Sequence, residues 1–372
     1  MKHIGRRYLL AAALLLFPVL LYAQEIPPAV PPPAPQPDPV WRFAVSGDSR
    51  NCGDVVMPAI AQSAIANGAQ FYLHLGDLRA MSGIDQDILR RREHAGDKTP
   101  FGLADYERTA WDDFVQNQIA PWGATPFFVG IGNHEMYGGK DRMQFLLQFA
   151  DWMNTPAIHD QRLKDDPTDH HMHTYFHFVR GPVDFIYLDN ATPDQFDVAQ
   201  LAWFEGLLAR DRMDPTILTL VVGMHAALPE SLARGHSMSD TAIGEQSGLR
   251  VYNDLLALQI QALKHVYLLA SHSHFYMANV FNSAYWRARG GVLPGWIVGT
   301  AGAVRYALPP NANQADAAMT NVYGYLMGSV SPDGSIRFDF QQIQETDVPP
   351  AVAAQYAPEA IHECYAGNSA AH

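Results

Sequence analysis

Gly132-Asn133-His134-Glu135 follows directly on the apolar run Thr125 to Ile131 and sets a metal-type amide beside an imidazole at the end of a buried-looking strand. Four further apolar runs end in the same manner. Trp41 to Gly47 leads into Asp48, Gln70 to Gly76 into Asp77, Ile217 to Met224 into His225, and His265 to Ser271 into His272-Ser273-His274. Asp, Asp, Asn, His, His and His make a mixed oxygen and nitrogen donor set, too large for one tetrahedral zinc and suited to two cations sharing a carboxylate. Hard oxygens with borderline imidazoles fit iron, manganese or zinc without deciding among them. Each piece alone has a plainer reading, because Gly-Asp ends many strands and a lone His after an apolar run is usually a satisfied core or loop imidazole. The metal reading rests on all five occurring together.

Apolar runs of this length, separated by helix-like segments, read as parallel strands of an α/β sheet buried on both faces. Ligands of such sheets bind beyond the carboxyl ends of the strands, where all these polar residues fall. Val55 to Asn67, Asp197 to Arg212 and Leu249 to Leu263 carry apolar residues at helical spacing and predict the covering layers. The long connection from Leu78 to Phe127 holds Arg90 to Arg92, Glu93, His94 and Asp97, with a predicted helix from Asp105 to Pro121; loops of this size often rim a site. After His274 the chain is strand-rich, over Phe275 to Asn282, Gly295 to Val298, Tyr323 to Val330 and Ser335 to Ile343. The last two flank the turn signal Ser331-Pro332-Asp333-Gly334, and the group predicts a second, mixed sheet. The insertion Asn154 to His173 is rich in Asp and His, which suits an extra metal or substrate contact or, more commonly, a solvated acidic loop. Gly299 to Arg305 is a Gly-rich loop after a strand: Arg305 could reach a substrate phosphate, and a tight turn explains the glycines equally well.

The five blocks resemble those of the calcineurin-like metallophosphoesterases, which run D-x-H, G-D-x, G-N-H-E/D, an isolated H after a strand, and G-H-x-H. They stand here as Gly47-Asp48-Ser49-Arg50, Gly76-Asp77-Leu78, Gly132 to Glu135, Gly223-Met224-His225 and Ser271 to His274. Asp184 to Asn190 and Gln200 to Phe204 are similar to the family's middle, so the match spans residues 41 to 343. The resemblance implies a four-layer α/β/β/α sandwich of two mixed sheets flanked by helices. It also implies two divalent or mixed-valence metal ions (Fe, Mn or Zn), with Asp48 and His274 on one, Asn133, His225 and His272 on the other, and Asp77 bridging. The implied reaction is hydrolysis of a small phosphate mono- or diester by a metal-bridging hydroxide, His134 protonating the leaving alkoxide, Asn133 lying beside the substrate, and Glu135 orienting the loop.

Arg50 departs from the pattern, since the family usually has a His ligand there. The first cation thereby loses a donor and gains a cationic neighbour. At about 5 Å and an effective dielectric near 20, one charge against another costs roughly 3 kcal/mol, so Arg50 is expected to turn away from the metal. The favoured outcome is that it clamps a substrate phosphate oxygen. The other is a weak first site, with one metal or none. Ser271, where the family prefers Gly, is a smaller departure.

Residues 1–23 show Lys2, Arg6 and Arg7, an apolar core from Tyr8 to Leu21, and Ala23 before Gln24, the pattern of a cleaved export signal. That core falls short of the about 20 residues that span a bilayer and contains Pro18, so no stable membrane span is expected after cleavage. Arg6 to Leu10 also suits the twin-arginine route, and the destination is periplasmic or secreted. Residues 24–40 are Pro-rich and read as an extended spacer, 41–345 as the metallophosphoesterase domain, and 346–372 as a C-terminal tail. Cys52 and Cys364, if bonded, would pin the tail beside the Asp48 loop; unbonded, they are two small apolar residues. The formal net charge is −13, more negative still without the basic leader, and Arg90 to Arg92 is the densest basic run. Long nucleic acid is therefore a poor partner, whereas a small phosphate ester answers to local charge. Rival readings are an extracytoplasmic nuclease or cyclic-nucleotide phosphodiesterase on the same scaffold, and a non-catalytic metal- or ligand-binding module whose centre degenerated at Arg50.

Overall fold

The computed structural model describes residues 41–192, 195–233 and 235–369. The export signal and the Pro-rich spacer lie outside the described residues. The strands are β1 (Trp41–Ser46), β2 (Ala69–His74), β3 (Phe127–Val129), β4 (Phe176–Arg180), β5 (Val183–Leu188), β6 (Thr219–Met224), β7 (His265–Ala270), β8 (Tyr276–Ala278), β9 (Gly295–Val298), β10 (Ala317–Met319), β11 (Tyr323–Val330) and β12 (Ile336–Ile343). They form two mixed sheets, ordered β12-β11-β1-β2-β3 and β10-β8-β9-β7-β6-β5-β4. Parallel pairing of β1 with β2 and β2 with β3, and of β5, β6 and β7, points the carboxyl ends of the ligand-bearing strands one way within each sheet.

The five ligand strands do not share one sheet, and the later strands do not form the other by themselves. β1 to β3 are completed by β11 and β12, while β6 and β7 are completed by β4, β5 and β8 to β10. All eight residues of β11 are buried, and it lies antiparallel between β12 and β1. A strand covered on both faces carries no polar side to identify its neighbours, so sequence order was the only guide and it misassigned these strands.

The inner faces meet through aromatic rings. Phe43 stacks on Phe71 at 5.3 Å, Phe185 sets its edge against both at 4.9 and 5.1 Å, and Phe128 stacks on Phe178 at 4.2 Å. Such pairs add about 0.5–1.5 kcal/mol each beyond area burial. They join β1, β2 and β3 to β4 and β5, holding the two sets of strand ends in a fixed relation. On the outer face of the second sheet, Leu201 and Phe204 of the helix Val198–Met213 and Val251 and Leu255 of the helix Ala242–Ala262 pack with Leu220, Val222 and Leu268. The latter helix starts seven residues before the apolar stripe at Leu249, because Thr241 accepts a hydrogen bond from the Gly244 amide and caps a first turn without apolar periodicity.

The connection after Leu78 holds the helix predicted from Asp105, found over Leu103–Phe114, and a further one, Gln86–His94, where a loop was expected; the acidic insertion likewise holds a helix, Pro156–Asp165, with Pro in the first turn. The basic run is engaged within the chain: Arg90 pairs with Glu363, Arg91 with Asp54 and Asp113, and Arg92 with Asp97. Residues 346–369 pack on the domain, burying Tyr356 and Ile361, and a disulfide joins Cys364 to Cys52. Among the described residues no helix is long and apolar enough to cross a membrane.

Candidate metal centre

Each ligand-bearing strand ends one to four residues before its polar residue, and the chain turns sharply there. Asp48, Asp77 and His272 have φ of 60°, 59° and 62°, the left-handed region that costs a side-chain-bearing residue about 1 kcal/mol or more. These turns aim three side chains into one space. Gly132 permits the approach of the β2 and β3 ends: a Cβ there would lie 2.4 Å from the Asp77 amide nitrogen and carboxylate oxygen.

Four donor atoms converge on one point. The Nε2 of His225 lies 2.9 Å from Asn133 Oδ1, 3.0 Å from His272 Nδ1 and 3.3 Å from Asp77 Oδ1. The other ring nitrogen of His225 is 3.0 Å from the Leu75 carbonyl and donates to it, so Nε2 presents a lone pair. Asn190 accepts from the amides of His225 and Ala226 at 3.2 and 3.1 Å and fixes the residue's backbone. Burial and the neighbouring His225 lower the pKa of His272 to about 3, so the imidazole is neutral. With its proton on Nε2, four lone pairs face one another, and a cation relieves that repulsion. The set fits a borderline divalent ion.

A second set adjoins it through the shared carboxylate. Asp48, Asp77 and His274 each offer a ligand atom within 4.8 Å of the others. His274 Nδ1 donates to the Val304 carbonyl at 2.6 Å, leaving Nε2 to face Asp48 Oδ1 at 3.1 Å. Asp48 Oδ1 and Asp77 Oδ2 are buried without a hydrogen-bond partner. Arg50 does not turn away from these atoms. Its Nη2 is 2.9 Å from His274 Nε2 and its Nε is 3.5 Å from Asp77 Oδ2, with the side chain 14% exposed. The His274 lone pair and the buried carboxylate oxygens attract the guanidinium inward.

Burial opposes ionisation of Asp48, but the hydrogen bond and charge of His274, then His225 and Arg50, hold its carboxyl well below the usual range. Burial likewise works against Asp77, and His225, His134 and Arg50 outweigh it. For Arg50 burial is overcome by Asp77 and Asp48, which raise its pKa. Glu135 touches neither donor set. Its carboxylate accepts from the amides of Gly132, Asp77 and Leu78 at 2.7, 2.9 and 2.9 Å, tying the β2 and β3 ends together.

His134 places Nε2 3.8 Å from Asp77 Oδ2 at the rim, while Nδ1 bonds the Ala80 carbonyl and fixes the ring. Arg305 is directed elsewhere. Its guanidinium donates to the carbonyls of Asn368, Asn321 and Tyr365 at 3.0, 3.3 and 2.8 Å, so its donors clasp the C-terminal segment and do not face a phosphate. The Asp- and His-rich insertion contributes to neither donor set. Its Asp165, Asp169 and His173 line a separate cavity of about 150 Å³ with His177 and Trp203.

Two site residues carried no signal in the sequence. His236 lies 5.3 Å from the His272 ring, and Tyr306 stacks on His274 at 4.0 Å and on His236 at 4.9 Å. His236 sits in a loop with no strand or motif before it, and Tyr306 is the residue just past the Gly-rich loop ending at Arg305, where the arginine carried the signal. Only the sheet geometry brings them to the centre.

No family model and no curated protein matches this sequence. Among solved structures, purple acid phosphatase PPD1 from yellow lupin (Lupinus luteus) superposes on 83% of the chain with a TM-score of 0.54 and 16% identity. The match covers 52% of that chain, so this protein spans about half the length of the lupin enzyme. GAP50, described as the anchor in the inner membrane complex of Plasmodium, superposes on 89% of this chain and 96% of its own, with a TM-score of 0.50 and 12% identity. With its two mixed sheets and their flanking helices, the chain shares the fold of the lupin purple acid phosphatase.

Proposed function

We propose that this protein is an exported, metal-dependent phosphoester hydrolase acting on a small phosphate mono- or diester. The observation that carries the reading is the convergence of Asp77 Oδ1, Asn133 Oδ1 and His272 Nδ1 on the lone pair of His225 Nε2, within 2.9 to 3.3 Å. A divalent ion bound there supplies Lewis-acid polarisation of a phosphoryl oxygen and makes water more acidic. Around it, Asn133 and Arg50 bind and orient the phosphate. Arg50 adds a permanent charge beside the anionic ester. His134, whose Nδ1–H is committed to the Ala80 carbonyl, acts as the imidazolium: it delivers the proton from Nε2 to the leaving alkoxide and is left as the neutral ring. The lupin neighbour is a phosphatase, which agrees with this chemistry. The disulfide agrees with an oxidising, extracytoplasmic setting, as does the leader's pattern.

A binding role without turnover is the second reading, favoured by a guanidinium among the donors and by a neighbour described as an anchor. Hydrolysis of a chromogenic phosphate monoester and diester, abolished by chelation and restored by Mn²⁺, Zn²⁺ or Fe²⁺, is expected for the enzyme. Protein that binds an ion yet turns over neither ester is not a hydrolase of this class.

A further inference from the structure

The geometry points to a centre that takes a single divalent ion, with the Arg50 guanidinium standing permanently in place of a second. This rests on reading the site as a metal-dependent hydrolase, and it changes what that site contains.

The two donor sets differ in kind. Around His225 Nε2, four protein atoms face one another, and no cationic group lies among them. Asp48 Oδ1, Asp77 Oδ2 and His274 Nε2 make only three, with one carboxylate shared. The position that could supply a fourth donor is Arg50, and it supplies a cation. Its Nη2 bonds the lone pair of His274 Nε2 at 2.9 Å, the same pair a metal would require, and its Nε approaches Asp77 Oδ2 at 3.5 Å. An ion entering this set must displace that hydrogen bond and then lie beside a group that does not lose its charge in proteins. Asp48 and Asp77 already balance the guanidinium and one dication with a net charge near +1. A second dication would leave the centre with a large excess of positive charge.

Arg50 is also held in place from behind. Its carbonyl accepts from the Cys52 amide at 2.9 Å, and Cys52 is bonded to Cys364, so the loop that bears it is fastened. The guanidinium is therefore a built-in occupant. Beside it, Tyr306 stacks on His274 at 4.0 Å and closes that side of the space.

Metal stoichiometry tests this without reference to turnover. The purified protein is stripped with chelator and titrated separately with Mn²⁺ and Zn²⁺ by calorimetry, and metal per chain is measured after desalting. One ion per chain is expected, with Mn²⁺ giving the magnetic resonance signal of an isolated ion. Arg50→His, which replaces the cation with a donor, is expected to take two, with an exchange-coupled Mn²⁺ signal and a second ion bound at least a hundredfold more tightly than in the unaltered protein. Arg50→Lys, which keeps the charge, is expected to stay at one. Two tightly bound ions in the unaltered protein, none at all, or a folded Arg50→His that still binds one would overturn the assignment. Should Arg50→His fail to fold, Arg50→Gln takes its place, and it too is expected to admit a second ion. One bound ion without ester hydrolysis would sink the enzymatic reading and leave this inference standing; hydrolysis with two ions would do the reverse.

Discussion

At the scale of single residues, the centre assigns different work to neighbours in one short segment. Asn133 turns its Oδ1 to His225 Nε2, His134 sets its Nε2 near Asp77 Oδ2 at the rim, and Glu135 turns inward to three backbone amides. His134→Ala is expected to lower kcat by roughly 10²- to 10⁴-fold with little change in KM, most strongly for esters with poor leaving groups. Equal losses for good and poor leaving groups would remove its role as the acid. Arg50→Ala is expected to raise KM for a phosphate ester, because it removes the fixed cation beside the phosphate. An unchanged KM would end the proposed contact between Arg50 and substrate.

At the scale of elements, strand ends and the turns after them do the positioning. Gly132→Ala would drive a methyl group to 2.4 Å from the Asp77 amide and carboxylate. Overpacking of this kind costs about 1–3 kcal/mol, and ion affinity is expected to fall more than stability does. Calorimetric metal titration beside a thermal melt checks the order of those losses. On β4, His177 bonds Asp184 at 2.9 Å and also contacts Asp165. Burial alone would depress its pKa, but Asp184 and Asp165 raise it to about 9. The folded state thus holds this proton more tightly than the unfolded chain. Its stabilisation is complete below about pH 6.5 and is lost as the pH rises through about 9, an effect of the order of 3 kcal/mol. Asp211, pushed up to about 8 by burial and Asp184, acts in the same direction. Melting temperature should therefore fall between pH 6.5 and 9, and His177→Gln should flatten that slope; an unchanged slope would exclude His177 as its source.

At the scale of the whole molecule, the two sheets bring together polar residues that are far apart in the chain, and the C-terminal segment fastens one side of the site. The Cys52–Cys364 bond closes a separation of 312 residues, for which the chain-entropy account gives about 6 kcal/mol as an upper figure. Reduction, or Cys52→Ser with Cys364→Ser, is expected to lower the melting temperature by about 2–4 °C for each kcal/mol lost. No shift in a scan with and without reductant would show that packing of Tyr356 and Ile361 suffices to hold the segment. Arg305 belongs to this scale, since its donors serve the tail.

Read from the sequence alone, Asp48, Asp77, Asn133, His225, His272 and His274 are legible as one group, because each follows an apolar run in a recurring pattern and strand ends are where α/β sheets place ligands. The helices with apolar stripes are legible for the same reason, that periodicity records which face is buried. Strand partners were not legible, since β1, β6 and β11 are covered on both faces and nothing in such a run names its neighbour. His236 and Tyr306 were hidden because isolated loop residues acquire meaning only from what packs beside them. The direction of Arg50 was decided by tertiary structure as well. Repulsion from an assumed metal argued outward, whereas the assembled site surrounds the guanidinium with a histidine lone pair and two buried carboxylates, and local attraction of opposite charge turns it inward.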